Sequence, residues 1–255
     1  SLGYKIKDKE WPNTLKMTMP GRFKLQKFLA DSKKAGCTHV VLEVTSEGIK
    51  QKRHLGIDFD SAVFTNLHKE HIESHGSFEN YYKAKQELFL KAKHIHVINA
   101  DDPHASLFGD FPAQKKIYYG IGRGDMSARN VQPSLDKIEF DLYSEHFILH
   151  FGGKFNVYNA LAALSVGAMY GVDLPTAKPA LENVKDIPGR MEFVQKQPFS
   201  VIVDYAHTPD SLEAVYSSLT QELKGDKRLI CILGAAGGGR DVWKRPEFGR
   251  IADHY

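Results

Sequence analysis

Cysteine is scarce in this chain. Cys37 and Cys231 are the only two in 255 residues, far apart and without partners at metal-ligand spacing. That excludes a disulfide framework and lends no support to a zinc site, and a reducing cytoplasm fits. Long apolar runs are missing as well. The longest are strand-sized, and no basic stretch followed by an apolar segment opens the chain, so neither a membrane span nor a signal peptide is read. Charge of one sign is nowhere concentrated: 34 Lys and Arg are interleaved with 31 Asp and Glu, for a formal net charge of +3. This pattern argues against a nucleic-acid binder and leaves anionic substrates open. There is no internal repeat, no low-complexity tract and no phosphate-binding loop ending in Gly-Lys followed by Ser or Thr. The chain opens on Ser1 without a methionine, and the helical pattern from Pro246 to Tyr255 stops without a cap, so an internal fragment is expected.

What is present is an alternation of strands and helices. Phe23 to Ala35 carries apolar residues at helical spacing and stops at Gly36; the β-branched run from Thr38 to Val44 reads as a strand buried on both faces. Ser61 to Leu67 repeats that strand pattern, a helix follows, and His94 to Ala100 gives a third strand. The order predicts an α/β fold with a doubly wound, mostly parallel sheet, whose ligands gather beyond the carboxyl ends of the strands, where Glu43, Asn66, His71 and the Asn99–Asp102 turn fall. From about Lys115 to Phe151 the runs shorten and alternate, which predicts a small antiparallel β subregion. Asn156 is placed to cap a buried helix. After Gly189-Arg190-Met191-Glu192 the reading restarts with a strand from Val201, a helix from Ser211 to Leu223 and a strand from Arg228 to Leu233, the start of a second, Rossmann-like α/β domain. The division is set at residues 1–192 and 193–255; the second part is too short for an independent core and is expected to be incomplete.

One charge stands out. Lys85 lies on a helix face with Tyr81, Tyr82, Leu88 and Phe89 three and four residues away. An ammonium there loses hydration unless it meets an anion, snorkels to solvent or is chemically changed. As a cation it has donors and no lone pair, so it cannot ligate a metal. A carbamate formed with CO₂ would supply oxygens instead. Glu43, just past an apolar run, is either an oxygen ligand for a hard cation such as Mg²⁺ or a capping or paired carboxylate. His71 sits in the histidine-rich stretch Thr65-Asn-Leu-His-Lys-Glu-His71-Ile-Glu-Ser-His75, where a ligand and a solvated imidazole are both open readings. The Gly234–Asp241 loop, which includes Arg240, could cradle an anion or be a plain turn, and Asp204-Tyr-Ala-His207-Thr-Pro-Asp210 could bind a ribose or cap the next helix.

Several strings occurring together resemble the Mur ligase family: Leu42-Glu-Val-Thr-Ser-Glu-Gly-Ile-Lys-Gln51-Lys-Arg53, Val63-Phe-Thr-Asn-Leu, Tyr82-Lys-Ala-Lys85, Ile98-Asn-Ala-Asp-Asp, Phe155-Asn-Val-Tyr-Asn159-Ala, Gly189-Arg-Met-Glu and Asp204-Tyr-Ala-His-Thr-Pro-Asp. They stand in family order over nearly the whole chain. The resemblance implies a central ATPase-type domain and part of a C-terminal domain. It also implies an ATP-dependent amide ligase that adds an amino acid to UDP-N-acetylmuramoyl-L-Ala-D-Glu in peptidoglycan precursor synthesis, through an acyl phosphate, with Mg²⁺ as cofactor and ATP as co-substrate. Its partners would be the UDP-muramoyl peptide and the amino acid, in a cytoplasmic monomer. By position the resemblance makes Glu43 and His71 metal ligands and Lys85 their carbamylated companion, the three forming the catalytic set. Thr18, Thr45, Gln51 and Arg53 would hold the muramoyl substrate, Arg240 would reach the incoming amino acid, and Asn159, Arg190 and Asp204 would contact ATP. The chain departs from the pattern at Met19, where the family has a threonine, at Glu47, where it has a histidine, and at Thr45, often a serine. A folylpolyglutamate or cyanophycin synthetase shares the architecture, and a non-catalytic binding fragment or a metal hydrolase using Glu43 and His71 is the alternative from another class.

Overall fold

The computed structural model describes residues 3–15, 17–221, 223, 225, 228–234 and 241–255. A hairpin of β1 (Gly3–Ile6) and β2 (Lys9–Pro12) opens it, antiparallel, with Tyr4 paired to Trp11. The two rings stack at 5.9 Å and close on Phe28 of α1 (Arg22–Lys34), which fixes the hairpin to that helix. An extended segment, 37–45, leads to α2 (Ser46–Lys50). Then follow β3 (Ser61–Phe64), α3 (Ile72–His75), α4 (Phe78–Lys91), β4 (Ile95–Asn99) and α5 (Ala105–Gly109). The strands β5 (Lys115–Ile121), β6 (Met126–Pro133), β7 (Ile138–Leu142) and β8 (Glu145–Leu149) complete the sheet. Two helices, α6 (Phe155–Met169) and α7 (Leu174–Glu182), close this part.

The six strands lie in chain order, β3 to β8, parallel as far as β6 and antiparallel beyond it. Side-chain alternation sorts the two faces. Ala62, Phe64 and Ile98 pack with Tyr81 and Phe89 of α4 and Phe108 of α5, whereas Ile95, Val97, Ile117 and Tyr119 pack under Val157, Leu161 and Leu164 of α6. Helices therefore cover both faces, as a doubly wound sheet requires.

The expected antiparallel subregion is present in β6, β7 and β8, which extend the same sheet over the same α6 core, while β5, at the start of that stretch, pairs parallel to β4 and β6. Other sequence expectations are corrected. The Thr38–Val44 run forms no strand among the described residues; Val41 is 92% exposed, and β-branched residues give a strand only where a neighbour supplies the hydrogen-bond ladder. Asn156 lies inside α6, where its amide donates to the Gly152 carbonyl at 2.7 Å, while Lys154 holds the cap position.

The remaining elements are β9 (Glu192–Gln195), β10 (Val201–Val203), α8 (Pro209–Thr220) and α9 (Lys244–His254). β9 and β10 pair antiparallel, and Met191, Leu212, Val215, Tyr216, Phe248 and Ile251 form a small core against which Leu135 and Phe155 also pack. Among the described residues the expected strand from Arg228 to Leu233 does not form: Ile230 and Ile232 stand in solvent. No helix among the described residues is long and apolar enough to cross a membrane.

Ties at the carboxyl ends of β3 and β4 position the loop that follows β3. Asn99 donates to the Thr65 carbonyl at 2.8 Å, and Asp102 accepts from the Leu67 amide at 2.9 Å. At the other end of β4, fully buried His96 points Nε2 at the Ala92 carbonyl (2.6 Å), closing the end of α4 onto the sheet. Burial holds the His96 pKa below its ordinary 6.5, as it does for buried His54. Because the folded pKa values are depressed, this stability is present above pH 6.5 and is lost as pH falls below it. The unfolding free energy from denaturant titrations between pH 7.5 and 5.5 should drop by up to about 1.4 kcal/mol per pH unit for each such histidine. His96→Gln, which keeps a donor toward Ala92, should flatten the curve by one histidine's share; an unchanged slope would disprove the assignment.

Candidate functional site

The loop from Thr65 to His75 forms the centre of the site, and its conformation is set by packing on both sides. His71, at the start of α3, takes a left-handed backbone (φ 55°, ψ 26°), and Gly76 ends the helix at φ 80°, the conformation that glycine adopts at least cost. Ser77 then caps α4 by accepting from the Asn80 amide. α4 turns Tyr81 inward, so that the His75 and His71 rings stand edge-on to it at 5.6 and 6.4 Å. One helical turn on, Lys85 Nζ lies 5.2 Å from the centre of the same ring. Burial lowers the Lys85 pKa, against the opposing charges of Glu70 and Glu43. Lys85 and His71 thus both lie against the Tyr81 ring, and Glu70 and Glu43 act on the amine electrostatically, Glu43 from the 37–45 segment.

Glu70 is the residue that sequence reasoning passed over. Its Oε1 faces His207 Nε2 at 3.2 Å, Lys244 Nζ at 3.4 Å and His71 Nε2 at 3.8 Å. Burial alone would raise its pKa; the His207 hydrogen bond and the charges of His71 and Lys244 overcome that and hold it down at about 2. Asp241 and Glu73 add to the junction: Asp241 Oδ2 accepts from the His71 amide at 3.2 Å, and Glu73 accepts from the Asp241 amide at 2.8 Å. Three histidines in Thr65–His75 drew attention away from the acids between them, and no sequence spacing links residue 70 to residues 207 and 244.

The residues expected at the muramoyl substrate lie around α2. Thr45 caps that helix, its hydroxyl accepting from the Gly48 amide at 3.0 Å. The Arg53 guanidinium donates to the Met19 carbonyl and to Gln51 Oε1. Thr18 and Glu43 line one cleft of about 410 Å³ between β1, α1 and the 37–45 segment. Gly48 packs directly on Met19: a Cβ there would stand 2.3 Å from the Met19 sulfur, so α2 seats only without a side chain at that point. Glu47 accepts from the Ser74 hydroxyl and faces buried His75 Nε2 at 3.3 Å, tying α2 to α3.

The residues expected at the nucleotide fall in two places. Arg190 stacks over Tyr205 at 5.2 Å, and Asp204 accepts from the Met191 amide (2.8 Å) and the Ala206 amide (2.7 Å), so these two are brought together. Asn159 is exposed on α6 and donates to Asn156 Oδ1 at 2.8 Å; no contact joins it to the other two among the described residues. Arg240 lies outside the described residues. Among them, no group of three or more His, Cys, Asp or Glu side chains is arranged to hold a metal ion, and the expected set draws its third member from a lysine.

Sequence and fold comparisons place these residues in a known setting. Residues 1–167 match the Mur ligase middle domain and residues 189–255 the Mur ligase, glutamate ligase domain. A UDP-N-acetylmuramoyl-L-alanyl-D-glutamate--2,6-diaminopimelate ligase of Halalkalibacterium halodurans is 40% identical over 98% of this chain and 52% of its own length. A UDP-N-acetylmuramyl-tripeptide synthetase of Roseiflexus sp. is 36% identical over 100% of this chain and 54% of its own. The solved structure of a UDP-N-acetylmuramoyl-L-alanyl-D-glutamate--2,6-diaminopimelate ligase matches with a TM-score of 0.71 and 34% identity, over 96% of this chain and 52% of that one. The MurF ligase of Thermotoga maritima in complex with ADP shares the fold, with a TM-score of 0.55 and 19% identity over 69% of this chain and 42% of that one. This chain spans about half the length of the curated relatives it matches.

The Glu70 junction carries its own test. Glu70→Gln leaves Lys244, 9% exposed, without its nearest carboxylate, and should cost about 1–3 kcal/mol at neutral pH. With the folded pKa depressed, that contribution is present above the ordinary value of 4.5 and is lost as pH falls from there toward about 2. Equal acid unfolding curves for Glu70→Gln and the parent chain would refute the role. With both of its parts matched and a relative 40% identical over 98% of its length, the chain belongs to the Mur ligase family.

Proposed function

We propose that this chain carries the acid-activating centre and part of the nucleotide site of an ATP-dependent amide ligase acting on UDP-N-acetylmuramoyl-L-Ala-D-Glu. The observation that carries the proposal is Lys85: an amine whose protonated form is disfavoured by burial, set over the Tyr81 ring that His71 also meets, and under the charges of Glu70 and Glu43. A neutral amine is what CO₂ requires. Its lone pair forms the N–C bond, one amine proton leaves to solvent, and the product is a carbamate with a single negative charge shared by two oxygens where an ammonium stood.

The donor set fits a hard divalent cation such as Mg²⁺. His71 offers a ring nitrogen, Glu43 an oxygen, and carbamylated Lys85 further oxygens. Such an ion supplies charge neutralisation of the ATP phosphates and of the acyl phosphate. The chain's own part is to bind and orient. Thr18, Thr45, Gln51 and Arg53 hold the UDP-muramoyl peptide, with Arg53 already oriented by Met19 and Gln51. Arg190, Asp204 and Asn159 receive the nucleotide, and Arg240 the incoming amino acid. In the reaction, a carboxylate oxygen of the peptide takes the γ-phosphoryl group and ADP leaves; the amino acid's amine then attacks the acyl carbon, and phosphate leaves as the amide forms. Positioning and electrostatic stabilisation account for most of such catalysis. The names and identities of the relatives support the ligase reading; a cytoplasmic, monomeric enzyme is part of the same proposal.

In an enzyme complete with a phosphate-binding loop, Lys85→Ala should lower ligation by at least about 10²-fold and recover part of it in added short carboxylates. ¹³C-bicarbonate should give a carbamate signal that is absent from Lys85→Arg. Parent-level ligation in Lys85→Ala would eliminate the proposal.

A further inference from the structure

We infer that His54 is a positioning residue for Arg53: its neutral, buried ring fixes the turn at residues 51–54 that aims the Arg53 guanidinium, and a proton on that ring loosens the turn. The consequence for substrate rests on the proposed role of Arg53; the link between the two side chains does not. His54 is 2% exposed, and neither of its ring nitrogens has a hydrogen-bond partner among the described residues. Leaving both unmet is costly, and an apolar side chain would fill the same place without that cost, so packing alone gives an imidazole no advantage here.

The neighbours decide what a proton would do. From α4, Glu87 places a carboxylate oxygen 3.7 Å from Nε2, outside hydrogen-bond range, and Lys91 adds a positive charge. From the same turn comes Lys52, whose ammonium already holds both Glu87 oxygens at 3.2 Å, and from the start of α1 comes Arg22. Burial, with Lys91, Lys52 and Arg22 set against Glu87, holds the ring's pKa below 6.5 and keeps it neutral near pH 7. Once charged, the ring must either close on Glu87, in competition with Lys52, or leave for water. Both routes move the turn.

Arg53 is built on that turn. Its amide donates to the Gly48 carbonyl at 2.8 Å, Lys52 before it takes a left-handed backbone (φ 56°), and the Lys52 carbonyl accepts from the Arg22 guanidinium at 3.1 and 3.3 Å. The oxygens that orient the Arg53 guanidinium are the Met19 carbonyl and Gln51 Oε1, the second of them inside the same turn. A displaced His54 therefore pulls on its neighbour and on one of that neighbour's two oxygen anchors. With the folded pKa below 6.5, Arg53 is held at neutral pH and released as pH falls through that lower value.

The test follows two signals in this chain, with no ligand added, from pH 7.5 to 5: the His54 ring nitrogens, by long-range ¹H–¹⁵N correlation, and the Arg53 Nε–H. In the parent the Arg53 signal should shift in one step, at the pH where His54 titrates and before the chain unfolds. It should stay flat in His54→Phe and His54→Leu, two non-titrating fillers of different shape, either of which serves if the other loses its structure. Glu87→Gln, which withdraws the carboxylate nearest the ring, should move both steps together to lower pH, a shift that a merely structural histidine would not pass on to Arg53. An Arg53 signal that does not move in the parent, or that still moves in the His54 variants, overturns the inference. In an enzyme complete with a phosphate-binding loop, KM for the UDP-muramoyl peptide should rise by up to about tenfold per pH unit below the His54 pKa in the parent and stay flat in His54→Phe, with kcat unchanged. Linked His54 and Arg53 steps with the same KM profile in parent and variant sustain the positioning role and remove the substrate role of Arg53 instead, so the two failures are told apart.

Discussion

The contact on which the site depends is the convergence on Glu70 of nitrogen-bearing side chains from three stretches of the chain. His71 comes from the adjacent residue, His207 from the loop before α8 and Lys244 from the start of α9. Lys244 and a protonated His207 would repel one another without it, and Lys244 is too enclosed to be stabilised by water. The carboxylate turns that repulsion into a tie between the two parts of the molecule, placed one residue from the histidine proposed as a ligand. The loop bearing Glu70 is in turn held at the strand ends by Asn99 and Asp102, whose side chains bond the backbone at Thr65 and Leu67. Sheet, loop and second part are thereby joined in sequence, and a change at any one of them is felt at His71.

Much of this was legible in the residues themselves. The alternation of apolar strands with helices gives the parallel sheet because each strand has a neighbour in the same direction and a helix to cover it. Lys85 announced itself by standing among Tyr81, Leu88 and Phe89, a placement that only a compensated or altered amine sustains. What failed to read correctly failed for want of partners. Thr38–Val44 and Arg228–Leu233 have the composition of buried strands, but composition selects a strand only when hydrogen-bond partners lie beside it, and no strand pairs with either among the described residues. Asn156 has the chemistry of a cap, yet it stands inside the helix and its amide donates backwards to the Gly152 carbonyl, which satisfies none of the helix's free amides. Glu70 and Asp241 carried no local signal at all, because their roles arise only when distant segments meet.

The departures at Met19 and Glu47 bear on the proposed substrate side in an instructive way. Both side chains turn inward. Met19 is 2% exposed, with its sulfur over Gly48, and what it offers Arg53 is its carbonyl, a group every residue type possesses. Glu47 gives its carboxylate to Ser74 and His75; burial would raise its pKa, but the Ser74 hydroxyl with the His75 and Lys50 charges holds it below the ordinary range. Replacing a hydroxyl and an imidazole by a thioether and a carboxylate therefore moves polarity from one point of the α2 surroundings to another without disturbing the backbone that aims Arg53. The orientation of Arg53 depends on the Met19 carbonyl and on Gln51, and so survives a change of side chain at position 19 provided α2 still seats on Gly48. That dependence makes the fit between α2 and Met19, more than the identity of either departing residue, the feature that decides whether the substrate side of this chain is kept.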